Sequence, residues 1–251
     1  MAALPGEAAT RRDRVRADTE REIRQTARRV LVDQGVDGLA LRAVARAMGM
    51  TAPALYRYFT SREDLVDHVV ADLYGELCDV LDRVCDEQDQ ARPGAQLLAV
   101  SRAFRGWATG HHAEFGLLFG SAGGRVRPLD APSAAGEHPS EVAARRFGGI
   151  FAALVARLYL EQGFAVPADD QIEPALQVQL HTWCEKLPVT LPLGVMAVFL
   201  SCWVQLYGLV CMEVFGHLRF ALDDAAPLFE AELKGLAARL DMLEDYRPPA
   251  A

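Results

Sequence analysis

From residue 19 almost to the end of the chain, apolar residues recur with the three-to-four spacing of helices, and no run alternates with period two. Ile23, Ala27, Val30 and Leu31 form one face, behind a Thr19-x-x-Glu22 pair at capping-box spacing. This first helix is expected to stop at Gly35, where Gly35-Val36-Asp37-Gly38 reads as a turn. Leu41, Val44, Ala45 and Met48 give the inner face of a second helix, ended by Gly49. Thr51 stands where it can cap a third helix, with Pro53 in the first turn, where its missing N–H costs little. Leu55 and Phe59 point inward one turn apart, and Ser61-x-x-Asp64 opens a long fourth helix to about Asp86. Leu65, Val69, Leu73, Leu77 and Leu81 line one stripe of it. Residues 1–17 are rich in Ala, Gly and Arg without apolar period, and read as a flexible arm.

Beyond Arg92 the helical pattern continues through Leu97–Thr109, Glu114–Phe119, Val142–Gln162, Pro174–Lys186, Pro192–Gly216 and Ala226–Leu243. The Gly-, Pro- and Ser-rich stretch from Gly120 to Pro139 reads as a long loop. The fold class is therefore all-α. The expected organisation is an arm over 1–17, a compact helix-turn-helix head over 18–64 and a helical regulatory and dimerisation domain over 65–246. Leu193–Met212 has no charge and the length of a membrane span. No basic cluster flanks it, and Ser201 and Gln205 interrupt it, which favours burial between its own domain and a partner subunit. A membrane-tethered protein with 193–212 spanning is the alternative.

The net charge of −8 hides an asymmetry. Residues 1–62 hold twelve Arg against seven acidic residues, a local +5, while the remainder of the chain carries −13. A basic head on an acidic body suits phosphate binding by the head. The five cysteines are odd in number, form no Cys-x-x-Cys pair and lie in apolar helical patterns, as reduced buried thiols do. Cys78 and Cys85 lie about 10 Å apart along a straight helix, too far for a disulfide. The first ten residues lack the basic start of a signal peptide, which points to the cytoplasm.

The head carries the clearest chemistry. A helix entering the major groove needs an outward face able to touch base edges and phosphates. Ala52, Pro53, Tyr56 and Arg57 would form that face, while Leu55 and Phe59 anchor the helix. The hydroxyls of Tyr56 and Tyr58 can reach phosphate, as can Arg62 at the start of the fourth helix. Arg42 can cross the backbone or grip a guanine edge.

These residues resemble the TetR family of transcriptional regulators over about Thr19 to Val70. The resemblance is carried by Gly35, Leu39, Leu41 to Ala45, Gly49, Leu55-Tyr56-Arg57-Tyr58-Phe59 and the following Ser61-Arg62-Glu63-x-Leu65. Ala40 departs from the usual Ser or Thr, losing a cap, and Arg62 replaces the frequent Lys. The resemblance implies a homodimer that binds a palindromic double-stranded DNA operator, represses, and releases it when a small molecule binds the larger domain. By residue-wise transfer the DNA contacts are Arg42, Thr51, Ala52, Pro53, Tyr56, Arg57, Tyr58 and Arg62. The C-terminal part resembles a subgroup with a Trp-x-x-x-His-Gly signature, here Trp203-Val-Gln-Leu-Tyr207-Gly208 with Tyr in place of His. By analogy the helices at about 192–216 and 226–243 form a four-helix bundle across the dimer.

Phe104, Trp107, Phe119, Phe151, Trp183, Trp203 and Tyr207 are candidates for the wall of a pocket taking an unidentified, largely apolar effector. His111, His112 and Glu114, and separately His181 and Cys184, have donor types but complete no metal set. Gly120-Ser-Ala-Gly-Gly lacks the Lys-Ser/Thr of a phosphate loop, so no cofactor is implied. No nucleophile motif appears; a helical enzyme is the weaker alternative to a non-enzymatic regulator.

Overall fold

A computed structural model describes residues 10–120, 138–185 and 190–249, and among these there are ten α-helices and no strand. They are α1 (Arg11–Gly38), α2 (Leu41–Ala47), α3 (Ala52–Leu55), α4 (Arg62–Asp86), α5 (Pro93–Gly110), α6 (His112–Phe119), α7 (Pro139–Glu161), α8 (Pro174–Cys184), α9 (Leu193–Val214) and α10 (Ala226–Arg239). A single 3-10 turn, Asp169–Gln171, precedes α8. The described residues form two compact units: one holds those up to Leu73 and those between Ala113 and Val142, the other holds the rest.

The first unit begins earlier than the apolar period indicates. Thr10 caps α1 with a reciprocal pair: its Oγ1 accepts from the Asp13 N–H at 3.2 Å, and the Asp13 carboxylate accepts from the Thr10 N–H at 3.1 Å. Residues 11–17 are thus helical, correcting the expected arm; residues 1–9 lie outside those described. Thr19 is not a cap, because its hydroxyl donates to the Val15 carbonyl inside the helix at 2.9 Å. Gly35 does end the regular helix, at φ 73° and ψ −178°, a backbone open to glycine and strained for other residues.

Gly49 performs a second left-handed stop, at φ 67°. The Met50 N–H reaches the Ala45 carbonyl at 2.9 Å and the Gly49 N–H reaches Arg46 at 3.2 Å, a Schellman closure that turns the chain from α2 towards α3. At the start of α4, Ser61 Oγ accepts from the Asp64 N–H at 3.0 Å, while the Asp64 carboxylate accepts from the Thr60 N–H at 2.7 Å. One core joins these helices: Ile23, Ala27 and Leu31 from α1, Leu41 and Val44 from α2, Leu55 and Phe59, and Leu65, Val69 and Leu73 from α4. Leu117 of α6 completes it. The unit therefore runs past the expected boundary at residue 64, because α4 supplies its fourth wall through Leu73.

In the second unit α9 packs against α5, α8 and α10, and α10 also meets α5. Ion pairs fix these contacts. Arg105 of α5 grips Glu213 of α9 through two bonds of 2.8 and 2.5 Å. Arg102 grips Glu230 of α10 through two bonds of 2.8 Å, with its guanidinium 5.3 Å from the Tyr246 ring centroid. Arg146 of α7 pairs with both Asp79 and Asp82 of α4. The last helix stops at Arg239 rather than Leu243. Asp241 takes φ 53°, and the Met242 N–H closes on the Ala237 carbonyl at 2.9 Å. The Gly120–Pro139 loop lies outside the described residues between 121 and 137, as does the expected end of α8 at Lys186.

Of the helices described, α9 is the one long and apolar enough to cross a bilayer by length and composition. Ten of its 22 residues are buried in the protein interior. Val195, Met196, Phe199, Cys202, Leu206 and Val210 are buried within the unit. On the opposite side Ser201 accepts from Arg239 at 2.8 Å and Gln205 donates to Glu232 at 2.5 Å, polar links to α10 that suit a protein core edge.

Candidate nucleic-acid interface and effector cavity

The α2–α3 region is built to show one face outward. Helix α3 is four residues long, and the chain continues in helical turns, with Tyr58 N–H on Leu55 O at 2.9 Å and Phe59 N–H on the same carbonyl at 3.2 Å. Leu55 and Phe59 are buried, and this pins the segment so that Thr51, Pro53, Tyr56 and Arg57 are exposed while Ala52 and Tyr58 are half-buried. Tyr56 is the most projecting aromatic of the unit, 52% exposed. Thr51 sits at the cap position but its side chain makes no cap bond, leaving the hydroxyl free to act outward. Arg42 is exposed on α2, preceded by Ala40, an extended cap residue without a side-chain bond, as its identity dictates. Arg46, one turn further on the same helix, is also exposed. Its i+4 spacing from Arg42 was the available signal, and sequence reasoning passed over it.

Arg62 is engaged otherwise. Its Nε donates to the Leu39 carbonyl at 2.6 Å and its Nη2 to the Val36 carbonyl at 3.0 Å. A cation there ties down carbonyls just beyond the regular part of α1. The acceptors lie 23 and 26 residues upstream, which no local pattern reveals. Arg62→Ala is expected to destabilise the first unit by about 2 kcal/mol, through two lost charge-assisted bonds. The loss is read as amide exchange at residues 36–40, with the salt dependence of DNA binding unaltered. A shallower salt dependence with intact exchange protection would return Arg62 to the phosphates.

The second unit gathers its aromatics around Trp203. The Trp203 ring stacks on Tyr207 at 5.7 Å and lies 5.1 Å from Phe151 and 6.3 Å from Phe104. Phe147 joins at 5.6 Å from Trp203 and 5.7 Å from Tyr74. Beside this cluster is a cavity of about 30 Å³, lined by Leu97, Ser101, Phe151, Phe199, Trp203 and Leu233 among others. That volume has room for about two or three water molecules. Of the seven expected pocket residues, Phe151 and Trp203 line it, and Phe104 and Tyr207 stack behind Trp203. Trp107 stacks on His111 at 4.8 Å and donates to Glu76 at 3.2 Å, and Trp183 packs on Phe199 at 5.9 Å. Phe119 belongs to the first unit, where its ring lies 4.7 Å from Phe115.

Burial pushes the Tyr74 and Tyr207 phenols well above their ordinary range, with Cys78 and Cys211 respectively adding to the shift. Both hydroxyls stay neutral donors at physiological pH. Burial also pushes the Cys78 thiol up to about 11 and raises Cys85, Cys184, Cys202 and Cys211, so none is activated as a thiolate. Among the described residues no group of three or more His, Cys, Asp or Glu could hold a metal ion. His111 rests on Trp107, while Glu114, 6% exposed, pairs with Arg28 of α1 at 3.0 Å.

Comparison with known proteins agrees with this layout. Residues 23–69 match the bacterial regulatory proteins of the tetR family, and residues 97–236 match a tetracyclin repressor-like C-terminal domain. The HTH-type transcriptional regulator Rv1816 of Mycobacterium tuberculosis strain H37Rv is 31% identical over 231 residues, covering 92% of this chain and 95% of that protein. The crystal structure of the regulatory protein SCO4313 is similar with a TM-score of 0.67 and 28% identity, over 91% of this chain and all (100%) of that one. A TetR/AcrR-family regulator from Thermobifida fusca shares the fold at 17% identity, with a TM-score of 0.54 over 92% of this chain and 100% of that one.

Proposed function

The chain belongs to the TetR family of bacterial regulatory proteins and is a DNA-binding transcriptional regulator, and on that footing we propose that it is a cytoplasmic repressor released from a palindromic operator by a small, largely apolar effector. The observation that carries the DNA half is the exposed set Arg42, Thr51, Pro53, Tyr56 and Arg57, held outward by the buried pair Leu55 and Phe59. With half-buried Ala52 able to meet a thymine methyl and Tyr58 at the rim, these form the groove and phosphate contacts. Arg62 acts at one remove, by positioning the α1–α2 connection.

Two copies are expected to meet through α9 and α10. Ser201, Val204, Gln205, Gly208 and Met212 form the outward stripe of α9 at helical spacing, and Ala231, Gly235 and Ala238 form a stripe of small residues on α10. Val204 is 62% exposed and Met212 42%, apolar surface that a twofold bundle would cover. The effector would enter beside Trp203, where the cavity wall is almost wholly apolar. Because the cavity measures about 30 Å³, binding requires α5, α9 and α10 to part, and that displacement is what an effector would couple to release.

Tyr56→Ala tests the reading. Two lost phosphate bonds per dimer, of about 1 kcal/mol each, lower operator affinity roughly 30-fold in a gel-shift titration. Thermal stability is unchanged, since the ring is half in solvent. Equal affinity of the variant and the parent would remove Tyr56 from the interface.

A further inference from the structure

The first three turns of α1 bury nothing in the core of the first unit. Residues 10–18 are exposed without exception, and the first buried side chain is Ile23. Residues 11–22 therefore form a helical overhang of about 18 Å. Local devices hold it: the Thr10–Asp13 capping box, Arg16 Nε on Glu20 at 2.9 Å, and Arg21 on Asp18 at 3.1 Å. A helix without a core to cover is otherwise marginal in water.

Its charge is not evenly spread. Residues 11–16 contribute four arginines and one aspartate, +3 of the +5 carried by residues 1–62. Arg12 and Arg16 continue, at i and i+4, the stripe on which Ile23 and Ala27 enter the core; the Asp18–Arg21 pair lies on the far side. The overhang thus turns arginines towards the side where the helix-turn-helix segment lies. The Arg16 guanidinium sits 5.8 Å from the Tyr58 ring centroid, two residues past the exposed Tyr56. That contact places the cationic stripe at the edge of the DNA-facing surface, with the Arg16 side chain still 61% exposed.

We propose that Arg12 and Arg16 on this overhang form a second, sequence-independent DNA-binding element, a clamp on the phosphate backbone flanking the bases read by α3. It rests on the DNA-binding role of α2 and α3 and extends the footprint along the duplex. The partner is the polyanionic backbone, because two arginines on successive helical turns match a line of phosphates and carry no base-reading geometry.

The experiment compares full-length wild type, Arg12→Ala/Arg16→Ala and Arg12→Lys/Arg16→Lys on two duplexes of about 30 base pairs, one from upstream of the chain's own reading frame and one of arbitrary sequence, across a salt series. Four neutralised phosphates per dimer predict a salt slope shallower by about 3 to 4 in the alanine variant, with affinity near 0.15 M salt lower by on the order of 100-fold on both duplexes. The lysine variant keeps the wild-type slope. Circular dichroism should show the helix retained, since alanine favours it. An alanine variant with the wild-type slope and affinity overturns the clamp while leaving the α3 interface standing. A loss confined to the upstream duplex overturns it too, since it would mean base reading. Wild type that binds neither duplex overturns both readings.

Discussion

Phe59→Ala is expected to abolish DNA binding by melting the first unit while the second stays folded. Phe59 is 2% exposed, its backbone N–H closes on Leu55, and its ring meets the edge of His68 at 5.4 Å. Removing the ring deletes the buried anchor that holds Tyr56 and Arg57 outward. Large-to-small changes of this kind cost about 3–5 kcal/mol, comparable with the whole stability of a small domain. The neighbouring core joins α1 and α4 to two short helices through tight turns at Gly35 and Gly49, so it has little freedom to collapse into the cavity. Hydrogen exchange should show amides across α1 to α3 losing protection, while those of α5, α9 and α10 keep theirs. Phe59→Leu, which keeps most of the volume, should retain a folded head. Undiminished protection in the alanine variant would mean that the anchor lies elsewhere.

The second large effect is expected from Val204→Glu. Val204 sits mid-way along the outward stripe of α9, where it touches little of its own chain. In a twofold bundle the substitution sets two carboxylates near the axis, desolvated and repelling, at a cost of several kcal/mol. Sedimentation should give folded monomers at micromolar concentration. Operator affinity should fall by 10³ or more, because each half-site is then bound without the effective concentration supplied by the other. An intact Val204→Glu dimer would displace the subunit contact from α9.

Much of this molecule was legible as a pattern. The inward stripes of α1, α2 and α4 fell where the apolar period put them, and the stops at Gly35 and Gly49 followed from the left-handed backbone each turn requires. The exposure of Tyr56 and burial of Leu55 and Phe59 were readable as phase on one short helical segment. Periodicity failed where helix was held by something other than burial. Residues 11–17 have no apolar stripe, and a capping box with two short-range ion pairs made them helical all the same. It failed again at the end of α10, where Asp241 takes a conformation more often given to glycine.

The sequence by itself determined that the fold is all-helical, which faces of α1, α2 and α4 are buried, and that a cationic three-helix head precedes an acidic helical body. Those properties depend on neighbours three and four residues apart, and the chain carries them locally. Tertiary structure alone decided that Arg62 binds the carbonyls of Val36 and Leu39, and that Leu117, Glu114 and Phe119 join the first unit. It also decided that the space beside Trp203 is small. Each of these is a meeting of groups tens of residues apart, set by how the buried faces pack together, and no local spacing encodes it.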